Sequence, residues 1–229
     1  MDEPYIKVFV EERCTVMLVV DISKSGRFGT ARLNKGAWRQ RSRRCAFSAN
    51  QHNDRAGLIL ATDEVEKVIP PKKGRKHVMR VVREILNTEP RRSGTDLSAA
   101  LEMLYMVARR RSVAFLISDF YASDYERTLS LASARHDVIP VMLTDPRDAE
   151  LPDVGLASFE DLESGEEVLV DTSSPLVRAH YAHLAKQERA KHVAVFRKLG
   201  LDHCVVHTDR PYVKPLRDLF ARRAKRVHR

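Results

Sequence analysis

The alternation of short apolar runs with amphipathic segments is the feature that most limits how this chain can fold. Thr15–Asp21 is an apolar run of strand length that ends in a carboxylate, and Ala56–Ala61, Val113–Ile117 and Val138–Leu143 are similar runs. Segments between them, such as His77–Leu86, repeat apolar residues at helical spacing. This rhythm predicts an α/β fold with one open, mostly parallel central sheet and helices on both faces.

The remaining predicted elements extend the same sheet and its helical layers. Glu66–Pro70 is predicted to be a short partner strand stopped by Pro70-Pro71, because proline cannot donate to a strand ladder. Further helices are predicted over Asp96–Arg110, Tyr125–Ala134, Leu176–Leu199 and Pro215–Arg226, a last strand over His203–His207, and a hairpin around Glu163-Ser164-Gly165. No internal repeat or low-complexity linker divides the chain, so we expect a single domain over residues 1–229.

The distribution of charge argues against a nucleic-acid partner. The formal net charge is +9, but residues 31–44 carry six positive charges and no negative one, and residues 217–229 carry six positive charges against Asp218. The rest of the chain is slightly acidic. A face that binds nucleic acid should spread its cations over the folded surface and interleave them with aromatic residues.

The cysteines and the apolar runs bear on the compartment. Cys14, Cys45 and Cys204 lie far apart without a Cys-x-x-Cys pair, which argues against a disulfide framework or a zinc site. The longest apolar runs are far shorter than the ~20 residues that span a bilayer. The N-terminus lacks the basic and then apolar pattern of a signal peptide. We therefore expect a cytoplasmic protein without a transmembrane segment.

Three polar clusters fall where predicted strands end or predicted helices begin. They are Asp21-Ile22-Ser23-Lys24-Ser25-Gly26, Ser93-Gly94-Thr95-Asp96 and Ser118-Asp119. In open parallel sheets the ligand lies at the carboxyl ends of the strands, so these clusters should meet there. The oxygen donors selected from them are Asp21, Ser23, Ser25, Thr95 and Asp119. Such hard ligands suit Mg²⁺, with Mn²⁺ or Ca²⁺ as alternatives, and leave a coordination position for an outside oxygen.

Each cluster also has a purely structural explanation. Turns that follow strands are rich in Asp, Ser and Gly. Thr95 or Asp96 could simply be the N-cap of the following helix. Taken singly, each cluster is better explained by structure than by function. Their order along the chain and their common position at strand ends together favour a binding site.

The three clusters resemble the metal-ion-dependent adhesion site of von Willebrand factor A-type domains, in which Asp-x-Ser-x-Ser, Gly-Thr-Asp and Ser-Asp occur in this order. Other stretches resemble a bacterial group of such domains, domain of unknown function 58, often encoded beside MoxR-type AAA+ ATPases. These stretches are Val10–Arg13, Asn53–Leu58, Ile69–Gly74, Ser118–Phe120, Arg135–Val138, Asp145–Arg147 and Leu151-Pro152. The similarity covers nearly the whole chain.

The resemblance implies a Rossmann-like von Willebrand factor A-type fold and Mg²⁺ bound by the five oxygen donors. It also implies a protein-interaction or assembly role with a MoxR-type ATPase, or with a client protein that offers an acidic residue to the metal. It implies no known catalytic activity, so the chain is not expected to be an enzyme.

Two departures from the family are evident. Family members usually begin well before the first strand, so we expect an N-terminal truncation here. Lys35–Cys45 (KGAWRQRSRRC) occupies the place of the first helix but lacks an apolar stripe. We hypothesise a local frameshift, and the DNA tests it: if neither alternative frame encodes an apolar helical peptide, the hypothesis is wrong.

Other functions receive less support from the sequence. His180 and His183, and the set His203, Cys204 and His207, are better explained as a solvated helix face and a strand than as metal ligands. No Walker-type phosphate loop or Gly-x-Ser-x-Gly elbow occurs. One alternative is a Mg²⁺-dependent hydrolase or phosphoryl-transfer enzyme, for which Lys24 and Asp96 are the only nearby acid–base candidates. The other is a degenerate copy without function.

Overall fold

Eight strands are present in the computed structural model, which describes residues 15–23, 54–160, 167–211 and 213–227. They are β1 (Thr15–Asp21), β2 (Arg55–Ala61), β3 (Val65–Lys72), β4 (Val113–Ser118), β5 (Asp137–Thr144), β6 (Leu156–Glu160), β7 (Glu167–Asp171) and β8 (Cys204–His207). Six of them form one sheet in the order β3-β2-β1-β4-β5-β8, and β6 and β7 pair separately as an antiparallel ribbon. The ribbon agrees with the predicted hairpin, whose turn lies outside the described residues.

The central sheet is parallel except where β3 pairs with β2, which confirms the mostly parallel sheet predicted from the sequence. The chain leaves β1 for β2 on one side, and β4 later enters on the other side of β1. The gap between β1 and β4 is therefore the topological switch point, where open α/β sheets bind their ligands. In this register Val20 lies beside Ile117 and Asp21 lies beside Ala61.

Helices cover both faces of the sheet, as predicted. They are α1 (Arg75–Asn87), α2 (Leu97–Val107), α3 (Glu126–Arg135), α4 (Pro146–Ala149), α5 (Pro175–Lys198) and α6 (Val213–Val227). The buried residues of α1 and α6 join one hydrophobic cluster, and those of α2, α3 and α5 join a second. None of the described helices is long and apolar enough to cross a membrane.

Alternate residues of β1 supply the two cores. Leu18 and Val20 belong to the cluster under α1, while Met17 and Val19 belong to the cluster under α2. Because successive side chains of a strand point to opposite faces, a strand buried on both sides must be apolar throughout. Gly57 lies beside Met17 on β2, and a Cβ there would approach the Met17 sulfur to 2.5 Å. A side chain at position 57 would therefore displace the buried end of the Met17 side chain.

The structure corrects two predicted boundaries. The prediction that Pro70-Pro71 stops β3 was wrong, because β3 runs through both prolines to Lys72. It is an edge strand, and its register with β2 shifts between Ile69 and Lys72, so the two prolines lie where the ladder is interrupted. The helix predicted over Asp96–Arg110 ends at Val107. The segment Lys35–Cys45 lies outside the described residues.

His136, which follows α3, gives the fold a testable pH dependence. The side chain is 1% exposed, and neither ring nitrogen has a hydrogen-bond partner among the described residues. Burial lowers the pKa of His136, and the charge of Arg135 lowers it further. The imidazole of the unfolded chain therefore binds a proton near pH 6.5, whereas that of the folded chain binds one only at lower pH. The free energy of unfolding should fall as pH drops below about 6.5, by up to about 1.4 kcal/mol per pH unit from this residue.

We expect His136→Met to remove this part of the acid dependence. The variant should gain stability over the wild type at pH 5 and lose that advantage toward pH 8, as measured by urea denaturation across the range. Exposed His180, changed to Met, controls for the loss of a histidine as such. A pH profile of the His136 variant that runs parallel to that of the wild type would contradict the assignment.

Candidate metal centre

Asp21 is the last residue of β1, and both of its carboxylate oxygens are held by hydrogen bonds. Oδ1 accepts from the backbone N–H of Ser23 at 2.9 Å, and Oδ2 accepts from the hydroxyl of Ser118 at 2.6 Å. Ser118 lies at the end of β4, so the second bond joins the two strands that flank the switch point. The orientation of the carboxylate is therefore fixed by the sheet itself.

The surroundings of Asp21 disfavour an uncompensated negative charge. Desolvation raises the pKa of this carboxyl, while the hydrogen bonds from Ser118 and Ser23 lower it in part. No lysine or arginine of the described segments forms an ion pair with Asp21. A nearby cation favours the charged form of a carboxyl group. A carboxylate with neutral hydroxyl and amide partners thus fits a bound cation that prefers oxygen ligands.

The end of β4 forms a tight turn that carries Asp119. The Ser118 oxygen accepts the N–H of Phe120 at 2.8 Å, and Asp119 Oδ1 accepts the N–H of Tyr121 at 3.1 Å. Phe120 has a φ of 65°, a conformation uncommon for a residue with a side chain, and its ring is fully buried. The ring packs edge-on against Phe196 of α5 at 5.0 Å between centroids. Core packing therefore holds the turn that places Asp119 at the sheet edge.

The third cluster reaches the same edge through the end of β2. The N–H of Asp96 donates to the carbonyl of Thr62, the residue after β2, at 2.8 Å. The N–H of Ile22 donates to the carbonyl of Ala61 at 2.8 Å, so the chain leaving β1 is also joined to β2. These bonds bring the loop that contains Thr95 to the edge where β1 and β2 end.

The structural explanation is correct for Asp96. Its side chain accepts the N–H groups of Ser98 at 2.8 Å and Ala99 at 3.2 Å, which is an N-cap of α2. The cap fixes where the helix begins and leaves Thr95 as the residue immediately before it.

Four of the five predicted ligands thus lie at the carboxyl ends of neighbouring strands or in a loop bonded to them. Asp21 and Ser23 follow β1, Asp119 follows β4, and Thr95 belongs to the loop held by β2. Ser25 lies outside the described residues. The bond from Ser118 to Asp21 was not predicted from the sequence. The bond follows from the pairing of β1 with β4, which sets Val20 beside Ile117 and so brings Asp21 next to Ser118.

The histidines and Cys204 occupy other parts of the fold. His180 and His183 are exposed on α5. His207 pairs with the hydroxyl of Thr144 at 3.0 Å, and Cys204 is buried in β8. Within residues 15–23, 54–160, 167–211 and 213–227, no group of three or more His, Cys, Asp or Glu side chains could hold a metal ion. Asp21 and Asp119 supply two carboxylates, so hydroxyl oxygens are needed to complete a set of ligands.

The family model described as "Protein of unknown function DUF58" matches residues 1–191. The chain belongs to the DUF58 family. Uncharacterized proteins of Mycobacterium bovis and Mycobacterium tuberculosis are each 31% identical to this DUF58 chain, over 97% of it and 71% of their own length.

Solved structures agree with the fold. BatB from Bacteroides thetaiotaomicron superimposes with a TM-score of 0.54 at 14% identity, covering 93% of this chain and 99% of BatB. A von Willebrand factor type A protein from Catenulispora acidiphila gives a TM-score of 0.50 at 13% identity, covering 93% of this chain and 42% of that one. At these identities the likeness shows the fold alone. It confirms the predicted Rossmann-like von Willebrand factor A-type architecture.

Ser118 tests how the Asp21 carboxylate is held. Ser118→Ala removes a donor from Asp21 and an acceptor from the N–H of Phe120, and the serine side chain is 1% exposed. Leaving buried partners unsatisfied should cost about 1–3 kcal/mol of unfolding free energy, measured by urea denaturation. The lost hydrogen bond should also raise the pKa of Asp21 further.

Ser133 offers a matched control on the surface of α3. Its hydroxyl donates to the carbonyl of Ser130 within the same helix. Ser133→Ala should change the unfolding free energy by less than about 0.5 kcal/mol. Equal effects of the two substitutions would show that the bond between Ser118 and Asp21 does not stabilise the fold.

Proposed function

We propose that this DUF58 chain is a Mg²⁺-dependent protein-interaction module, with the metal held by Asp21, Ser23, Ser25, Thr95 and Asp119. The observation that carries the proposal is the Asp21 carboxylate at the switch point. It is fixed by Ser23 and Ser118 and has no cationic partner among the described residues. Family membership and the von Willebrand factor A-type fold support the same assignment.

The chemistry of the donors favours an interaction role. Bound Mg²⁺ would supply a positive charge and open coordination positions, because it keeps several exchangeable waters in protein sites. The hydroxyls and carboxylates of this chain would hold and orient the ion. A carboxylate from a partner protein could then replace a water and complete the shell. The partner would therefore present an Asp or Glu side chain to the metal.

Catalysis by the same site has no comparable support. A general base must be free to accept a proton from a bound substrate. Asp96, the carboxylate named for that role, has a structural role as the N-cap of α2, where its Oδ1 accepts two backbone N–H groups. Lys24, the other candidate, lies outside the described residues. We therefore propose a module without catalytic activity of its own.

The partner class follows from the resemblance drawn from the sequence. We propose a MoxR-type AAA+ ATPase, or a client protein that it remodels, as the protein that supplies the acidic residue. The wide spacing of the three cysteines in the sequence favours a reducing compartment, so the proposal places this interaction in the cytoplasm.

Thermal unfolding with and without Mg²⁺ tests the metal site. At about 100 times its dissociation constant, a ligand adds about 2.7 kcal/mol, which for a chain of this size raises the melting temperature by roughly 5–10 °C. Asp21→Asn should abolish the shift, because it removes the negative charge that binds the metal. The amide keeps groups that can form hydrogen bonds with Ser23 and Ser118, so the local structure should be preserved. Without metal, the variant should melt at or above the wild-type temperature, since a neutral amide is easier to desolvate.

Glu150, exposed beside α4, provides the control. Glu150→Gln also removes one negative charge and should keep the full shift with Mg²⁺. A cooperative wild-type melt that Mg²⁺ and Mn²⁺ leave unchanged would contradict metal binding. Absence of any cooperative transition would favour the alternative of a degenerate copy.

Partner binding gives a second test of the proposal. A purified MoxR-type ATPase should bind the immobilised wild-type chain in Mg²⁺, and a chelator should release it. Asp21→Asn should bind at least tenfold more weakly, while Glu150→Gln should bind like the wild type. Equal binding by the wild type and Asp21→Asn, with and without chelator, would rule out a metal-mediated contact.

A further inference from the structure

Thr95 lies in a stretch without regular structure between α1 and α2. A ligand on such a segment contributes to metal affinity only if other groups hold it in place. The described contacts of residues 91–96 show which groups do so. The backbone of residues 91–96, the Thr95 loop, forms hydrogen bonds with the β2–β3 connection and with Glu66 near the start of β3.

Glu66 of β3 accepts hydrogen bonds from the beginning of the Thr95 loop. Its Oε1 atom accepts the N–H of Arg91 at 2.8 Å and the N–H of Arg92 at 3.3 Å. The same oxygen accepts the hydroxyl of Thr62 at 3.0 Å. One carboxylate oxygen therefore joins two consecutive loop amides to the residue that follows β2.

Thr62 holds the other end of the same loop. It is 1% exposed, and its carbonyl accepts the N–H of Asp96 at 2.8 Å. Thr95 thus lies between an anchor at Arg92 and an anchor at Asp96, and both anchors converge on Thr62 and Glu66. Displacing Glu66 would loosen the anchor at Arg91 and Arg92 directly. The effect on the anchor at Asp96 should be smaller, because the Thr62 hydroxyl has a second acceptor, Asp63 Oδ1, at 3.2 Å.

The remaining contacts of the loop are weaker. Arg92 pairs with Asp63 at 3.5 Å and with Glu64 at 3.1 Å, but all three side chains are at least 40% exposed. Exposed ion pairs contribute little to stability. Gly94 passes close to Asp63, where an added Cβ would lie 3.3 Å from the Asp63 Cβ atom. The loop therefore packs against the β2–β3 connection, with Glu66 as its main polar anchor.

We infer that Glu66 is a positioning residue for the metal site: it holds the Thr95 loop so that the Thr95 hydroxyl can serve as a ligand. This inference rests on the proposed function. It assigns a role to a residue that lies on the edge strand, away from the three clusters that the sequence singled out. It also explains why an acidic residue faces the backbone of a loop that contains two arginines.

Two substitutions separate the anchoring role from the charge of Glu66. Glu66→Ala removes the acceptor, whereas Glu66→Gln removes only the charge and keeps an oxygen for the two loop amides. Glu89→Ala is the control, because Glu89 lines the same cavity of about 340 Å³ as Glu66, and its loss changes the local charge equally. The probe is Mn²⁺ titrated by calorimetry, at a temperature where each variant is shown to be folded by circular dichroism.

We expect Glu66→Ala to weaken Mn²⁺ binding roughly 10- to 100-fold, the range typical of lost outer-shell partners. Glu66→Gln and Glu89→Ala should bind Mn²⁺ almost like the wild type. Hydrogen exchange of the metal-free protein supplies a readout that does not depend on metal. The amides of Arg91, Arg92 and Asp96 should exchange faster in Glu66→Ala and at nearly wild-type rates in Glu66→Gln.

The possible results distinguish failure of this inference from failure of the proposed function. If the wild type binds no Mn²⁺, the proposed metal site is wrong and the positioning role falls with it. If the wild type binds Mn²⁺ and Glu66→Ala binds it equally well, only the positioning role is wrong. Equal weakening by Glu66→Gln and Glu66→Ala would show that Glu66 acts through its charge, which would also overturn the inference.

Discussion

The pairing of β1 with β4 is the constraint on which the candidate site depends. It sets the end of β1 beside the end of β4, so that Asp21 meets the hydroxyl of Ser118 at 2.6 Å. A slip of one residue in this pairing would separate the two groups and turn the apolar side chains of β1 to the wrong faces. Burial on both faces of β1 therefore fixes the register, and the register places the carboxylate. The packing of the two hydrophobic clusters therefore also determines the geometry of the site.

The price of that placement is a carboxylate that forms no ion pair with any lysine or arginine in the part of the chain that the structure describes. Desolvation raises the pKa of Asp21, and its described partners are a backbone amide and hydroxyl groups. A chain selected only for stability could have placed an apolar residue or an ion pair here, at lower cost. The fully buried residues of the two flanking clusters, such as Leu18 and Met17, offset the cost. The arrangement makes physical sense if a cation binds at this edge and restores the balance of charge.

Local sequence patterns were sufficient to predict most strands and helices, but not the contacts between residues far apart in the sequence. The apolar run before Asp21 was sufficient to predict β1, because a strand buried on both faces has no other composition. The helix cap at Asp96 was open to either explanation, since a cap and a ligand look alike in sequence. The extension of β3 through Pro70-Pro71 depended on its edge position, which only the sheet order reveals. The hydrogen bonds of Glu66 to the Thr95 loop join residues 25 and 26 positions apart, and no periodic pattern in the sequence predicts such contacts.

Anomalous diffraction from crystals of the wild-type chain grown in saturating MnCl₂ would show directly whether a metal ion binds at this edge of the sheet. We expect a manganese peak at the carboxyl edge of the sheet, between the end of β1 and the end of β4, with oxygen atoms of Ser23 and Thr95 among its nearest neighbours. Asp21 and Asp119 should lie beside the ion, as direct ligands or through water. A well-ordered crystal without a peak at this edge, or with manganese held only by other side chains, would contradict the central claim.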